Sequence, residues 1–134
     1  MVYEELDPEG AYHRQREGWR YIDVRTEQEF AQGHPEGAVN VPIFFMGPAG
    51  MQPNPGFLSV VQRLFPTDTP LLVGCRSGGR SARACELLAS KGYRQLVNIA
   101  GGVSGSATVA GWRQQGLPWS TQLEGVSYRA LTSG

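Results

Sequence analysis

The run Pro70-Leu71-Leu72-Val73-Gly74 constrains the fold more than any other stretch. It is apolar at every position, so a strand there buries both of its alternating faces. Strands of that kind belong to parallel sheets with helices on each side. The rest of the chain supplies such neighbours. Residues 20–24 (RYIDV), 38–41 (AVNV, closed by Pro42) and 95–99 predict further short strands. Asp7 followed by Pro8 predicts a helix start, with Gly18 after its end. Thr26 with Glu29 forms a capping box, so a short helix is expected from Glu27 to near Gly33. Residues 57–64 have helical spacing and stop before Pro66. Residues 81–91 are rich in Ala and Leu and are followed by Gly92. A last helix is expected over 107–115, ahead of Gly116-Leu117-Pro118. Glycine and proline over 47–56 predict a loop. Strands alternating with short helices imply an α/β fold, a parallel sheet with helices on both faces. One domain over 1–120 and a C-terminal tail over 121–134 are expected, the tail partly disordered because it carries little pattern.

Bulk properties narrow the function classes. Twelve basic and twelve acidic side chains cancel, so no global field draws the chain to nucleic acid or to a membrane surface. No stretch approaches membrane-spanning length. Two cysteines in one short stretch, Cys75 and Cys85, cannot staple distant segments, and sparse thiols fit a cytoplasmic protein. The acidic N-terminal residues have no apolar run and do not resemble a secretion signal. Two cysteines and two histidines without ligand spacing give no metal site.

In open α/β sheets the working site lies beyond the carboxyl ends of the strands. Directly after the apolar run stands Gly74-Cys75-Arg76-Ser77-Gly78-Gly79-Arg80-Ser81. Two glycines let the backbone curl and point successive N–H groups inward, an anion cradle at a helix N-terminus. Cys75 stands at its base. Helix N-termini and arginines favour the thiolate form of a cysteine, which is the nucleophilic form. Arg76 and Arg80 supply fork-shaped donors for an oxyanion. A free cysteine is more often a small core residue, but a strand end, a Gly-Gly turn and two arginines together are hard to explain by packing. Protein tyrosine phosphatases place their arginine one residue further from the cysteine. The shorter loop suits a sulfur atom on the cysteine better than a tetrahedral phosphate above it.

These residues make the chain resemble the rhodanese family. The resemblance runs from about Leu6 to Pro118. It rests on Tyr21-Ile22-Asp23-Val24-Arg25, on Glu29-Phe30, and on Gly33-His34-Pro35-Glu36-Gly37-Ala38-Val39-Asn40-Val41-Pro42. It continues with the Cys75–Ser81 segment and with Gly101-Gly102, Trp112 and Gly116-Leu117-Pro118. The resemblance implies a five-stranded parallel sheet flanked by helices. It implies that Cys75 takes sulfane sulfur from a donor such as thiosulfate, becomes a persulfide held by the amides of Arg76, Ser77, Gly78, Gly79, Arg80 and Ser81, and yields the sulfur to cyanide or a thiol. No cofactor is implied. A loop of this length resembles the sulfur-transferring branch, and a longer one the phosphatase and arsenate-reductase branch. Three departures stand out: Pro35 after His34, a long 47–56 segment, and a wide gap from Gly102 to Trp112.

Asp23 and Arg25 match the family's Asp-x-Arg pair. They read as structural support, the acid holding loop amides and the arginine pairing nearby. His34 reads as a structural donor, His13 as surface, Cys85 as core, and Trp112 and Trp119 as packing anchors. The alternative to a turning-over enzyme is a carrier module that holds a persulfide for a protein partner. The expected partners are therefore a small sulfur donor and a thiol acceptor, with a protein acceptor as the alternative.

Overall fold

The computed structural model describes residues 2–133. In chain order the elements are β1 (Glu4–Leu6), α1 (Pro8–Arg16), β2 (Arg20–Asp23), α2 (Glu27–Ala31), β3 (His34–Pro35), β4 (Val39–Asn40), β5 (Phe44–Gly47), β6 (Gly50–Pro53), α3 (Phe57–Leu64), β7 (Leu71–Gly74), α4 (Gly79–Ala89), β8 (Leu96–Ile99), β9 (Trp119–Ser120) and α5 (Tyr128–Thr132). Five strands form a parallel sheet in the order β1-β8-β7-β2-β4. The apolar run is its central strand, and all four residues of β7 are buried.

The two faces of the sheet carry separate cores. Leu71 and Val73 face Phe57, Val60 and Val61 of α3 and Ala84, Cys85 and Leu88 of α4. Leu72 faces Ala11 of α1, Phe30 of α2 and Trp112. Helices therefore cover both faces, as the run predicts. Each fully buried aliphatic side chain contributes about 1.5–3 kcal/mol, so the central strand anchors the fold.

Helix starts follow the caps. The Asp7 carboxylate accepts from the Gly10 N–H at 2.9 Å. Thr26 and Glu29 exchange capping-box bonds. At α4 the start differs from expectation: it begins at Gly79, not Ser81, on a left-handed Gly78 (φ 118°). That shift draws the end of the cysteine loop into the first turn.

Three expectations need correction. Residues 47–56 are not simply a loop. β5 and β6 pair antiparallel from Phe44↔Pro53 to Gly47↔Gly50, so glycine and proline mark the turn and end of a hairpin. No helix forms over 107–115. The Ser106 hydroxyl takes the N–H groups of Thr108 and Val109, and Trp112 and Arg113 donate to the carbonyls of Gly102 and Val103. Those amides are committed to the preceding turn and cannot build an i→i−4 ladder. Finally, the tail is not without structure: residues 122–133 pack against the domain and include α5. Asn40 N–H donates to Val126 O at 2.8 Å, Arg63 donates to Leu131 O at 2.6 Å, and Asn54 reaches the Tyr128 hydroxyl. β1 and the β3–β9 pair, which have only two or three residues each, were not visible as patterns.

Candidate active site

Cys75 leaves the C-terminal end of β7 with its Sγ turned under the following loop, and the residue is 1% exposed. The Gly78 N–H points at the sulfur at 3.1 Å and the Ser81 N–H at 3.4 Å. The Ser81 hydroxyl lies 3.4 Å from the same atom. Donors converging on one sulfur stabilise negative charge there. Of the predicted cradle, Gly78 and Ser81 reach the sulfur. Among the described residues, no hydrogen bond to Sγ comes from Arg76, Ser77, Gly79 or Arg80.

Asn98 is a residue that the sequence reading did not single out. It lies on β8 and is 2% exposed. Its Oδ1 accepts a short hydrogen bond from the Ser81 hydroxyl, and its Nδ2 donates to Gly78 O at 3.3 Å. Ser81 has a single hydroxyl proton, and Asn98 Oδ1, Gly78 O and Cys75 Sγ all lie within reach of it. Asn98 therefore sets where that proton points. An asparagine inside an otherwise apolar strand was the available signal, since buried polar groups require partners.

Arg80 does not extend into solvent as a free fork. Its two terminal nitrogens bind both oxygens of Glu29 at 2.7 and 3.0 Å. Glu29 also caps its own helix through the Thr26 N–H and hydroxyl. Burial pushes the Glu29 carboxyl up, but the bonds from Arg80 and Thr26 outweigh it and hold the carboxyl at about 2. Arg80 thus ties the loop to α2, and its charge is spent. Arg76 is exposed, with no carboxylate partner among the described residues.

Asp23 and Arg25 form a buried bidentate pair, Nη2 to Oδ2 at 2.8 Å. Asp23 also accepts the Arg25 N–H, and Arg25 reaches Gly33 O. The acid holds one loop amide, that of Arg25 just past the end of β2. His34 is buried, stacked on Phe30 at 3.7 Å, with Nδ1 3.0 Å from Phe30 O; it is a packing residue. Cys85 is fully buried, and burial pushes its thiol up to about 12. His13 is exposed. Trp112 is the largest fully buried side chain. Among the described residues, no His/Cys/Asp/Glu group is arranged to hold a metal.

Gly101-Gly102 clamp the loop from the far side. Val103 and Ser104 N–H groups donate to the carbonyls of Cys75 and Arg76 at 3.0 and 2.9 Å. A side chain on Gly102 would run into those carbonyls, so the turn can approach this closely only with glycine there. Beside the loop opens a cleft of about 290 Å³. Arg25, Glu29, Arg76, Val103, Arg113 and Trp119 are among the residues that line it. Cys75 itself does not line it.

The rhodanese-like domain model matches residues 7–107. Over 101 residues the chain is 45% identical to "Thiosulfate sulfurtransferase 16, chloroplastic" of Arabidopsis thaliana, covering 75% of this chain and 79% of that one. It is 46% identical over 87 residues to "Protein HIGH ARSENIC CONTENT 1, mitochondrial" of the same plant, covering 65% of this chain but only 52% of that one. Among solved structures, Rv0390 from M. tuberculosis superposes with a TM-score of 0.78 at 27% identity, covering 91% of this chain and all of that one.

Proposed function

The chain belongs to the rhodanese-like domain family, and from that premise we propose that it is a sulfurtransferase that moves sulfane sulfur through a persulfide on Cys75. The observation that carries this reading is the convergence of the Gly78 and Ser81 amides on one sulfur, with the Ser81 hydroxyl 3.4 Å from the same atom. The thiolate of Cys75 attacks the outer sulfur of a donor such as thiosulfate. The donor's S–S bond breaks and sulfite leaves with the electron pair. The persulfide's terminal sulfur carries the negative charge, which suits a ring of donors. A thiophilic acceptor then attacks that terminal sulfur and releases the Cys75 thiolate, so the two half-reactions run as a double displacement.

Arg80 supports the reading by its pairing. With its charge neutralised by Glu29, the loop holds sulfur through N–H groups and not through a cation reserved for a phosphate. Intact-mass measurement after mixing with thiosulfate tests the proposal. A gain of one sulfur atom, removed by cyanide and absent in Cys75→Ser, is expected. No gain with Cys75 reduced would remove thiosulfate as the donor. Turnover with small donors then separates an enzyme from a carrier module that serves a protein partner.

A further inference from the structure

The cleft beside the loop carries charge that the sulfur chemistry described above does not use. Of its four charged lining residues, two are already neutralised. Arg25 is paired with Asp23, and Glu29 with Arg80. Arg76 and Arg113 have no carboxylate partner among the described residues. Both reach the cleft, so it carries two uncompensated guanidinium groups. Lone exposed arginines are usually solvated, but Arg113 is not held by solvent alone. The carbon of its guanidinium lies 4.6 Å from the Trp119 ring centroid, a cation–π contact that holds the charge against the ring.

Trp119 is itself set in place. It sits on β9, paired with Pro35, and its indole lies so close over Gly33 that any side chain there would overlap the ring. The result is an aromatic wall carrying Arg113, with Val103 and the second uncompensated cation, Arg76, lining the same cleft. A bare dianion the size of thiosulfate needs no aromatic wall and fills only part of about 290 Å³. An organic anion uses all three features.

We infer that this cleft binds the carboxylate of a small organic thiol, the acceptor of the Cys75 sulfur, with Arg76 and Arg113 as its anion donors and Trp119 as its apolar wall. This assignment rests on the sulfurtransferase reading. In the step it serves, the acceptor's thiolate attacks the terminal sulfur of the persulfide. The S–S bond to Cys75 breaks, the electron pair stays on Sγ, and the acceptor leaves as its own persulfide. No oxidant or reductant is required.

The test separates the half-reactions. Protein loaded with thiosulfate is mixed with mercaptosuccinate or with uncharged 2-mercaptoethanol, below saturation. Arg113→Gln is expected to slow sulfur removal by mercaptosuccinate about tenfold, the loss of about one charge-assisted bond. Removal by 2-mercaptoethanol and the loading step serve as controls and should move less than about twofold. Arg113→Lys should recover part of the mercaptosuccinate rate, because charge returns without the fork. Equal slowing with both thiols, or no slowing with mercaptosuccinate, overturns the assignment. Slower loading overturns it too, since the cleft would then serve the donor. A separate readout needs no sulfur transfer. Succinate should shift the Trp119 indole N–H resonance of the wild-type protein and not of Arg113→Gln. If the wild-type protein never loads sulfur, the sulfurtransferase reading fails and the acceptor role with it, while this titration still decides whether the cleft takes a carboxylate. No shift overturns the site itself.

Discussion

Arg80, the next-to-last residue of the Cys75 loop, is bound through both terminal nitrogens to the carboxylate of Glu29 on α2. The pair is partly buried, and it joins two segments 51 residues apart. Because the capping box of α2 uses the same carboxylate, helix start and loop position are set by one group.

This pair makes stability depend on acid. The Glu29 carboxyl is held at about 2 in the folded chain, against an ordinary 4.5. A depressed folded value means the stabilisation is complete above about 4.5 and is lost as pH falls towards about 2. Glu29→Gln should remove that dependence and cost about 1–2 kcal/mol at pH 7, the scale of a charge-assisted hydrogen bond. Urea unfolding of both proteins between pH 2.5 and 7 reads it, and parallel curves across that range would show that the pair contributes nothing.

Ser81→Ala deletes the one hydroxyl that faces the sulfur and keeps the amides. Loss of a single preorganised donor at a charged centre lowers rates about 10- to 1000-fold. Because Asn98 takes part of that hydroxyl's hydrogen bonding, the lower end is expected, about tenfold in sulfur loading from thiosulfate. Stopped-flow loading checks it. An unchanged rate would mean the hydroxyl stays on Asn98 throughout.

Cys85 should be chemically silent in the native state. It is buried in the core with its thiol pushed up to about 12, and thiolate is the reactive form. Iodoacetamide at pH 8 should leave it unmodified until the chain unfolds. Cys85→Ala should still accept sulfur while losing stability by the small core volume removed, about 1 kcal/mol. Peptide mapping that finds Cys85 alkylated in folded protein would contradict this.

Tyr21 hides an unpaired hydroxyl under the loop. Among the described residues it has no hydrogen-bond partner, its ring is packed edge-on against Trp112 at 5.4 Å, and a side chain at Gly74 would strike it. Burial, reinforced by Asp23, pushes its ionisation well above the ordinary value, so it stays neutral. Removing an unsatisfied polar atom is neutral or favourable. Tyr21→Phe is expected to match or exceed wild-type stability by up to about 1 kcal/mol in thermal unfolding. A loss above that would reveal a bond the hydroxyl makes.

Aryl phosphate hydrolysis should be undetectable. The loop is one residue shorter than a phosphatase loop, and Arg80 is engaged by Glu29. Turnover of p-nitrophenyl phosphate that disappears in Cys75→Ser would reverse the choice between sulfur and phosphorus chemistry.

The elements legible in the sequence are those whose cause is local. The Asp7 and Thr26 caps act within one helical turn. The β7 run declares its own burial because each residue must leave water. The cysteine loop is a contiguous segment, so its glycines and its nucleophile could be read together. Less legible were features whose cause lies elsewhere in the chain. The 107–115 segment has helix-compatible residues, yet the carbonyls of Gly102 and Val103 compete for its amides. The hairpin at 44–53 resembles a loop until its two halves pair.

By itself, then, the sequence determined the α/β architecture, the central buried strand, and the place of Cys75 at its carboxyl end. These follow from hydrophobic periodicity and capping, which act over a few residues. Only the tertiary structure decided the company Cys75 keeps. Asn98 meets Ser81 from 17 residues away, Glu29 neutralises Arg80, and Arg113 with Trp119 forms a wall beside the loop. Hydrogen bonds and charges of that kind depend on distances fixed by strand order and packing, and distances of that kind leave no period in the chain.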